Sequence, residues 1–311
     1  MSRSKKVNNF ENELSKLSII KPYKMFFAIF VDWLIIILTI FICNRAFSWP
    51  FYFLSIVIIS SRMHALGILS HDAVHYRIGL KKTINDLIAN VFLCWPLFIR
   101  VEGYRNEHFP HHQFVNTDLD PDFIRKKHHS DWQFPKRFGS MFKIFLFDIL
   151  GLNLGQYFNR LKFSLKYESK GKRKDRNKGM ELLRLFFYFN MFTLIYFNNL
   201  GNDFFLYWVI PYITFFKMIR RLRTLAEHFA ISNPSEYKTR TVLTSFFDIL
   251  LLSPHYVNFH GEHHLFPQVP FYNLKKLHYL LSSHPVYKGK LYYTKSYVGV
   301  IKEAINYKLN L

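Results

Sequence analysis

The residues of this chain that could do chemistry are its histidines. Of fifteen, eight fall in three short groups: His71 and His75 in HDAVH, His108, His111 and His112 in HFPHH, and His260, His263 and His264 in HGEHH. On a helix, positions i, i+3 and i+4 share a face, so each group is expected to present its imidazoles to a common point. A lone HxxxH pair is usually a satisfied polar face. Three groups, two of them with the same HxxHH spacing, point instead to metal. Imidazole suits zinc, copper, iron and nickel, so ligand type alone does not name the ion. Ligand number narrows the choice: zinc needs three or four donors, whereas eight or more neutral imidazoles suit two ions with positions left open for oxygen, which favours two irons. HDAVH has the frame of the zinc-peptidase motif HExxH, but aspartate is one methylene shorter and the other two groups would have no role.

Four apolar runs are placed to carry these groups. Residues 25–43, interrupted only by Asp32, approach bilayer thickness at about 1.5 Å per residue. This run starts too far in, is too long and lacks the small-residue cleavage site of a signal peptide. Residues 49–69 follow after a short link, and residues 182–197 and 204–218 repeat the arrangement around a polar turn. The expectation is an all-α integral membrane protein with four transmembrane helices in two hairpins. Residues 84–99, 141–152 and 242–252 are too short or too polar at their flanks and read as interfacial helices; spanning by one pair of them would change the span count without moving the histidines. Lys and Arg collect in short cytoplasmic loops. They crowd the stretch before Met25 and residues 160–178, while the two hairpin turns hold Arg45 alone. A cytoplasmic N-terminal segment (1–24), a membrane domain (25–272) and a cytoplasmic C-terminal segment (273–311) follow, with the histidine-rich metal-binding region on the cytoplasmic side.

Composition excludes other classes. Half the residues are apolar, with 35 Phe and 19 Tyr, too much grease for a soluble basic nucleic-acid binder and far too much for intrinsic disorder. The net charge of +21 matches the anionic cytoplasmic face of a membrane. Mean hydropathy is +0.00, the average of apolar spans and basic loops. Two cysteines, Cys43 and Cys94, both inside apolar runs, build neither a disulfide framework nor a thiolate zinc site.

The three boxes with their hydrophobic hairpins resemble the integral-membrane fatty acid desaturase superfamily, which includes hydroxylases and carotenoid ketolases. The likeness runs from about His64 to Tyr272 and includes HHQFVNTDLDPDF after the second box, RTLAEHF before the third and NFHGEHHLFPQVP around it. It implies two irons held by histidines, and O2 and two electrons used to desaturate an acyl chain of a fatty acid or lipid. A lipid or carotenoid hydroxylase or ketolase is the alternative on the same scaffold. A histidine-rich metal transporter is the alternative from another class, and would need ligands inside the spans.

The resemblance also implies a further ligand near RTLAEHF, which singles out His228. His64, seven residues before His71 and on the same helix face, is read as support for the ligands rather than as one of them. Asp72, Glu107, Glu227 and Glu262 adjoin candidate ligands and are expected to accept the second N–H of an imidazole. Asn116 and Asn258 are candidates to bind a metal-bound water. Asp118, Asp120 and Asp122 are expected to cap a helix or pair with Arg105 or Arg125. His128, His129, His255, His278 and His284 are assigned to the surface or interface, and Lys81, Lys82, Arg100 and Arg105 to a rim facing phosphate or anionic lipid. No Rossmann fingerprint or CxxC cluster is present, so electrons are expected from a separate ferredoxin or cytochrome b5 type donor attracted to the basic surface. The compact loops favour a bacterial inner membrane over endoplasmic reticulum.

Overall fold

A computed structural model describes residues 3–79, 81–155, 159, 177–231 and 238–307. Most of the central basic segment (160–176) lies outside the described residues. Helix α1 (Arg3–Ser18) leads into α2 (Pro22–Arg45), which starts with proline in its first turn, where the missing N–H costs nothing. Helix α3 (Trp49–Val74) follows directly, with Ser48 at its N-cap accepting from Phe51 N. These two helices form the first hairpin. Phe27, Phe30, Ile37 and Phe41 of α2 stay exposed, an apolar face suited to lipid.

Residues 82–114 hold α4 (Lys82–Ala89), a π-helical turn (Asn90–Cys94), a short 3-10 turn and α5 (Val101–Phe114). The chain bends by 91° between Lys82–Leu97 and α5. Short α6 (Pro121–Lys127) and α7 (Phe138–Ile149) come next. Helix α8 (Lys178–Phe197) is apolar and buries no residue. Among the described residues three helices, α2, α3 and α8, are long and apolar enough to cross a membrane, or up to four crossings if the bent pair counts as one.

The fourth expected run does not form one continuous helix. It is divided into α9 (Gly201–Phe204), a π-helical turn (Phe205–Val209), α10 (Ile210–Ile213) and α11 (Phe215–His228), with a break at Thr214 (φ −111°, ψ −105°). Pro211 accounts for the π-helical turn before it, since it has no N–H to bond the Tyr207 carbonyl. The break separates an apolar half from a basic half that carries Lys217, Arg220, Arg221 and Arg223.

The expected interfacial helix over 242–252 is also corrected at its start. Strand β1 (Arg240–Val242) pairs in parallel with β2 (Tyr292–Thr294), and α12 (Phe246–Leu251) begins only after a capping box at Ser245. A helix-period reading could not detect β1, because its partner lies far along the chain. Short α13 (His260–Leu265), α14 (Leu274–Ser283) and α15 (Tyr297–Asn306) complete the chain. One apolar core centres on α2 and α3, with Met25, Ile59, Met63 and Leu66 fully buried. A second joins α7, α11 and α15 through Met141, Leu222, Leu225 and Val300. The N-terminal helix packs on the C-terminal part through Phe10, whose ring meets those of Phe266, His284 and Tyr287.

One ionic group crosses the first core. Asp32, 1% exposed, accepts from Arg62 Nη1 at 2.9 Å and from His255 Nε2 at 2.7 Å. His255 is therefore not the surface residue its spacing suggested. Arg62 also donates to the Leu250 carbonyl at 2.5 Å. The group ties α2, α3 and the chain leading to the third box. Asp32→Ala leaves a buried guanidinium without its counter-charge and is expected to cost about 3–5 kcal/mol. Thermal unfolding in detergent checks this; a melting temperature equal to that of the unsubstituted protein contradicts it.

Candidate metal centre

Each histidine box ends up at or near the C-terminal end of a helix. His71 lies in the last turn of α3 and His75 caps it; His108, His111 and His112 lie in the last two turns of α5; His228 ends α11; His263 and His264 lie in the last turn of α13. Helix C-termini carry partial negative charge and favour a cation. Four such ends meet here.

The ends are fixed by buried arginines from elsewhere in the chain. Arg105 donates to the Val74 carbonyl (2.9 Å) and Ala73 carbonyl (3.3 Å) at the end of α3, and pairs with both oxygens of Asp86 (2.7 and 3.0 Å). It does not pair with the DLDPD aspartates. Arg240, fully buried, donates to the Leu225, Ala226 and Ala230 carbonyls at the end of α11 and to Glu303. These guanidinium groups satisfy carbonyls that a helix end leaves without partners. The third box depends on a close approach: a Cβ on Gly261 would lie 2.8 Å from both Thr241 Oγ1 and Leu291 Cδ2. Only glycine lets α13 lie this near β1.

The imidazoles form two clusters. His71, His75, His108, His112 and His263 make the first; His111, His228, His260 and His264 make the second; within each, the potential ligand atoms all lie within 4.8 Å of one another. The expectation that each box converges on one point is corrected. In HFPHH the i and i+4 histidines enter the first cluster and the i+3 histidine the second, whereas in HGEHH the i and i+4 pair enters the second and His263 the first. Positions i+3 and i+4 diverge by about 100° around a helix, enough to serve two neighbouring centres. The clusters touch through His112 and His264, stacked at 4.0 Å.

Nε2 atoms face one another at short range: His75–His108 3.0 Å, His108–His112 2.9 Å, His112–His263 3.1 Å, His111–His228 3.2 Å and His228–His260 2.8 Å. Two imidazole nitrogens bound to one first-row metal at about 2.1 Å, a right angle apart, are separated by about 3 Å. The donor set therefore fits metal. So does the state of the rings. Burial first, then neighbouring charged and imidazole groups, holds His260, His263 and His264 well below the usual imidazole pKa, which keeps them in the neutral, ligating form. Among the described residues Nε2 of His71 and of His264 is buried with no hydrogen-bond partner, a state that costs about 1–3 kcal/mol per atom and that a bound metal would relieve.

Comparison with known proteins decides the family. A family model described as fatty acid desaturase matches residues 47–296. The chain belongs to the fatty acid desaturase family. It is also similar to the dihydrorhizobitoxine desaturase of Bradyrhizobium elkanii, 28% identical over 295 residues that cover 89% of this chain and 82% of that relative. With its candidate membrane-spanning helices, the chain is a membrane protein and a desaturase-like oxidoreductase. Its family suggests a lipid or fatty-acyl substrate, and its histidine clusters are compatible with iron.

The carboxylates around the histidine clusters are distributed differently from their sequence positions. Asp120 accepts from His111 Nδ1 at 2.9 Å while capping α6 through Asp122 N. A carboxylate only accepts, so Nδ1 carries the hydrogen and Nε2 turns its lone pair to the second cluster. Nothing in the spacing of DLDPD distinguished Asp120 from Asp118 or Asp122. Glu227 lies 3.4 Å from His260 Nδ1 and pairs with Arg223. Glu262 bonds Thr241 Oγ1 at 2.5 Å and His278 Nδ1 at 2.6 Å rather than a cluster histidine. That contact draws His278, expected at the surface, into the support of α13. Asp72 accepts from Phe271 N, and Glu107 pairs with Arg125. Asn258 clamps β1 through Val242, with its Oδ1 buried and unpartnered; Asn116 donates to the His228 carbonyl.

A cavity of about 280 Å3 lies against both clusters, reaching His71 and His108 of the first and His111, His228 and His260 of the second. Leu97, Ile99 and Phe216 give it an apolar wall, and His64 lines it too. None of Lys81, Lys82, Arg100 and Arg105 lines it. Asp120→Ala is expected to lower metal affinity about 10–100-fold, read as metal retained per chain across a chelator series. Retention equal to that of the unsubstituted protein would show that His111 needs no such partner.

Proposed function

We propose that this desaturase holds two irons, one per histidine cluster, and uses O2 and two electrons to remove two hydrogens from an acyl chain of a fatty acid or lipid. The observation that carries the reading is the pair of adjoining, buried, all-imidazole clusters that share one cavity. His71, His75, His108, His112 and His263 would hold one iron, and His111, His228, His260 and His264 the other. Bound iron supplies the oxygen activation and hydrogen-abstracting power that side chains lack. The protein's own part is positional. Asp120 sets the tautomer of His111, the arginine-capped ends of α3 and α11 hold their histidines in place, and Leu97, Ile99 and Phe216 keep the chain against the clusters while excluding water.

In the proposed topology the chain crosses the membrane four times, the last crossing being the broken helix that ends at Thr214. Segments 1–24 and 273–311 flank the membrane domain 25–272 on the cytoplasmic side. A separate ferredoxin or cytochrome b5 type protein delivers the electrons, and a bacterial inner membrane is favoured over endoplasmic reticulum. The name of the similar Bradyrhizobium elkanii protein favours a second substrate reading, dihydrorhizobitoxine in place of a lipid. Hydroxylation or ketolation would use the same ligands.

Metal content per purified chain, together with mass profiling of host lipids with the unsubstituted protein or His263→Ala, tests the proposal. Expected are about two irons and lipids about two mass units lighter, lost in the variant. A gain of about sixteen mass units would make the reaction hydroxylation. Zinc alone with no lipid change would overturn the di-iron reading.

A further inference from the structure

Helix α11 carries four basic residues on the stretch that meets the cavity, and three of them have carboxylate partners. Lys217 lies 3.6 Å from Asp148, Arg221 3.1 Å from Asp131, and Arg223 2.6 Å from Glu227. Arg220 differs. It lines the cavity, and among the described residues no carboxylate pairs with it; the ring of Phe216 lies 5.5 Å from its guanidinium. A cation placed in a cavity wall without a counter-charge is a site for an anion.

A second observation comes from another helix. His64 of α3 lines the same cavity, is 1% exposed, and its Nε2 has no hydrogen-bond partner. An unpartnered ring nitrogen in a cavity wall is open to a hydrogen bond from a ligand. His64 belongs to neither histidine cluster, so metal binding does not account for it. The two residues sit at matching depths. Arg220 precedes His228 by two helical turns, about 12 Å, and His64 precedes His71 by seven residues, about 10 Å. Helices α3 and α11 pack against each other, so both groups address one level of one cavity.

We infer that the substrate of this desaturase carries an anionic head group, a carboxylate or a phosphate, that enters the cavity and pairs with Arg220, while His64 Nε2 accepts a hydrogen bond from a donor beside that group. The inference rests on the function proposed above and specifies its substrate class: an amphiphilic acid, not a neutral lipid or ester. Held at Arg220, the head group is set back from the clusters by a fixed length of chain. Arg220 and His64 are then specificity-determining residues, with no part in holding metal.

Calorimetric titration of the purified full-length protein in detergent micelles tests this, with decanoate, 2-hydroxydecanoate, decyl phosphate and methyl decanoate as probes. The unsubstituted protein is expected to bind an anionic probe at least about tenfold more tightly than the ester. Whichever of decanoate and decyl phosphate binds better names the head group. Arg220→Gln is expected to remove the preference while leaving ester affinity unchanged, and Arg220→Lys to keep part of it. The 2-hydroxy acid is expected to bind more tightly than decanoate, an advantage lost in His64→Leu. Equal affinity for acid and ester, or a preference that survives Arg220→Gln, overturns the inference. Iron content of the same preparations separates the failures: an iron-loaded protein that ignores charge refutes this inference alone, whereas a protein that takes up no iron refutes the proposed function.

Discussion

Nine imidazoles must be brought together in a largely buried space, each with a ring nitrogen free to bind, and the rest of the molecule answers to that requirement. Bare ring nitrogens 2.8 to 3.2 Å apart repel unless a proton or a cation lies between them. The fold meets this by pointing the negative ends of α3, α5, α11 and α13 into one region, so that the backbone as well as the rings favours positive charge there. The clusters and the helix ends are two parts of one electrostatic arrangement.

Ends that converge would normally leave carbonyls stranded, and the chain settles this with buried arginines. Arg105 and Arg240 each bind the carbonyls at one helix end and a carboxylate elsewhere. The Asp32–Arg62–His255 group does similar work between the membrane hairpin and the approach to the third box. Buried ion pairs add little net stability over an apolar substitute, but they have strong directional requirements. Here they fix where α3 and α11 stop.

The exchange between the second and third boxes makes the two clusters interdependent. Each HxxHH helix gives a pair to one cluster and a single histidine to the other, so neither centre can be assembled without the other helix in register. The cavity touches both centres at once, which suits a reaction needing two metals beside one substrate. The same cavity reaches back between α3 and α11, where charged and polar side chains replace the apolar wall.

The sequence by itself marked out the histidines that the fold gathers. Box spacing singled out eight of the nine cluster histidines, because i, i+3 and i+4 repeats are local properties, and the family resemblance at RTLAEHF supplied the ninth, His228. The hairpin of α2 and α3 was legible for the same reason. What only tertiary structure decided is everything that depends on distant partners: the division of each box between two clusters, the pairing of His255 with Asp32 across the chain, the choice of Asp120 to hold His111, strand β1, and the break at Thr214. Helical spacing says which side chains share a side, but the direction in which that side faces is set by packing. A residue's charge partner is set by which helix end folds against it, and neither is written within a few residues of the histidine itself.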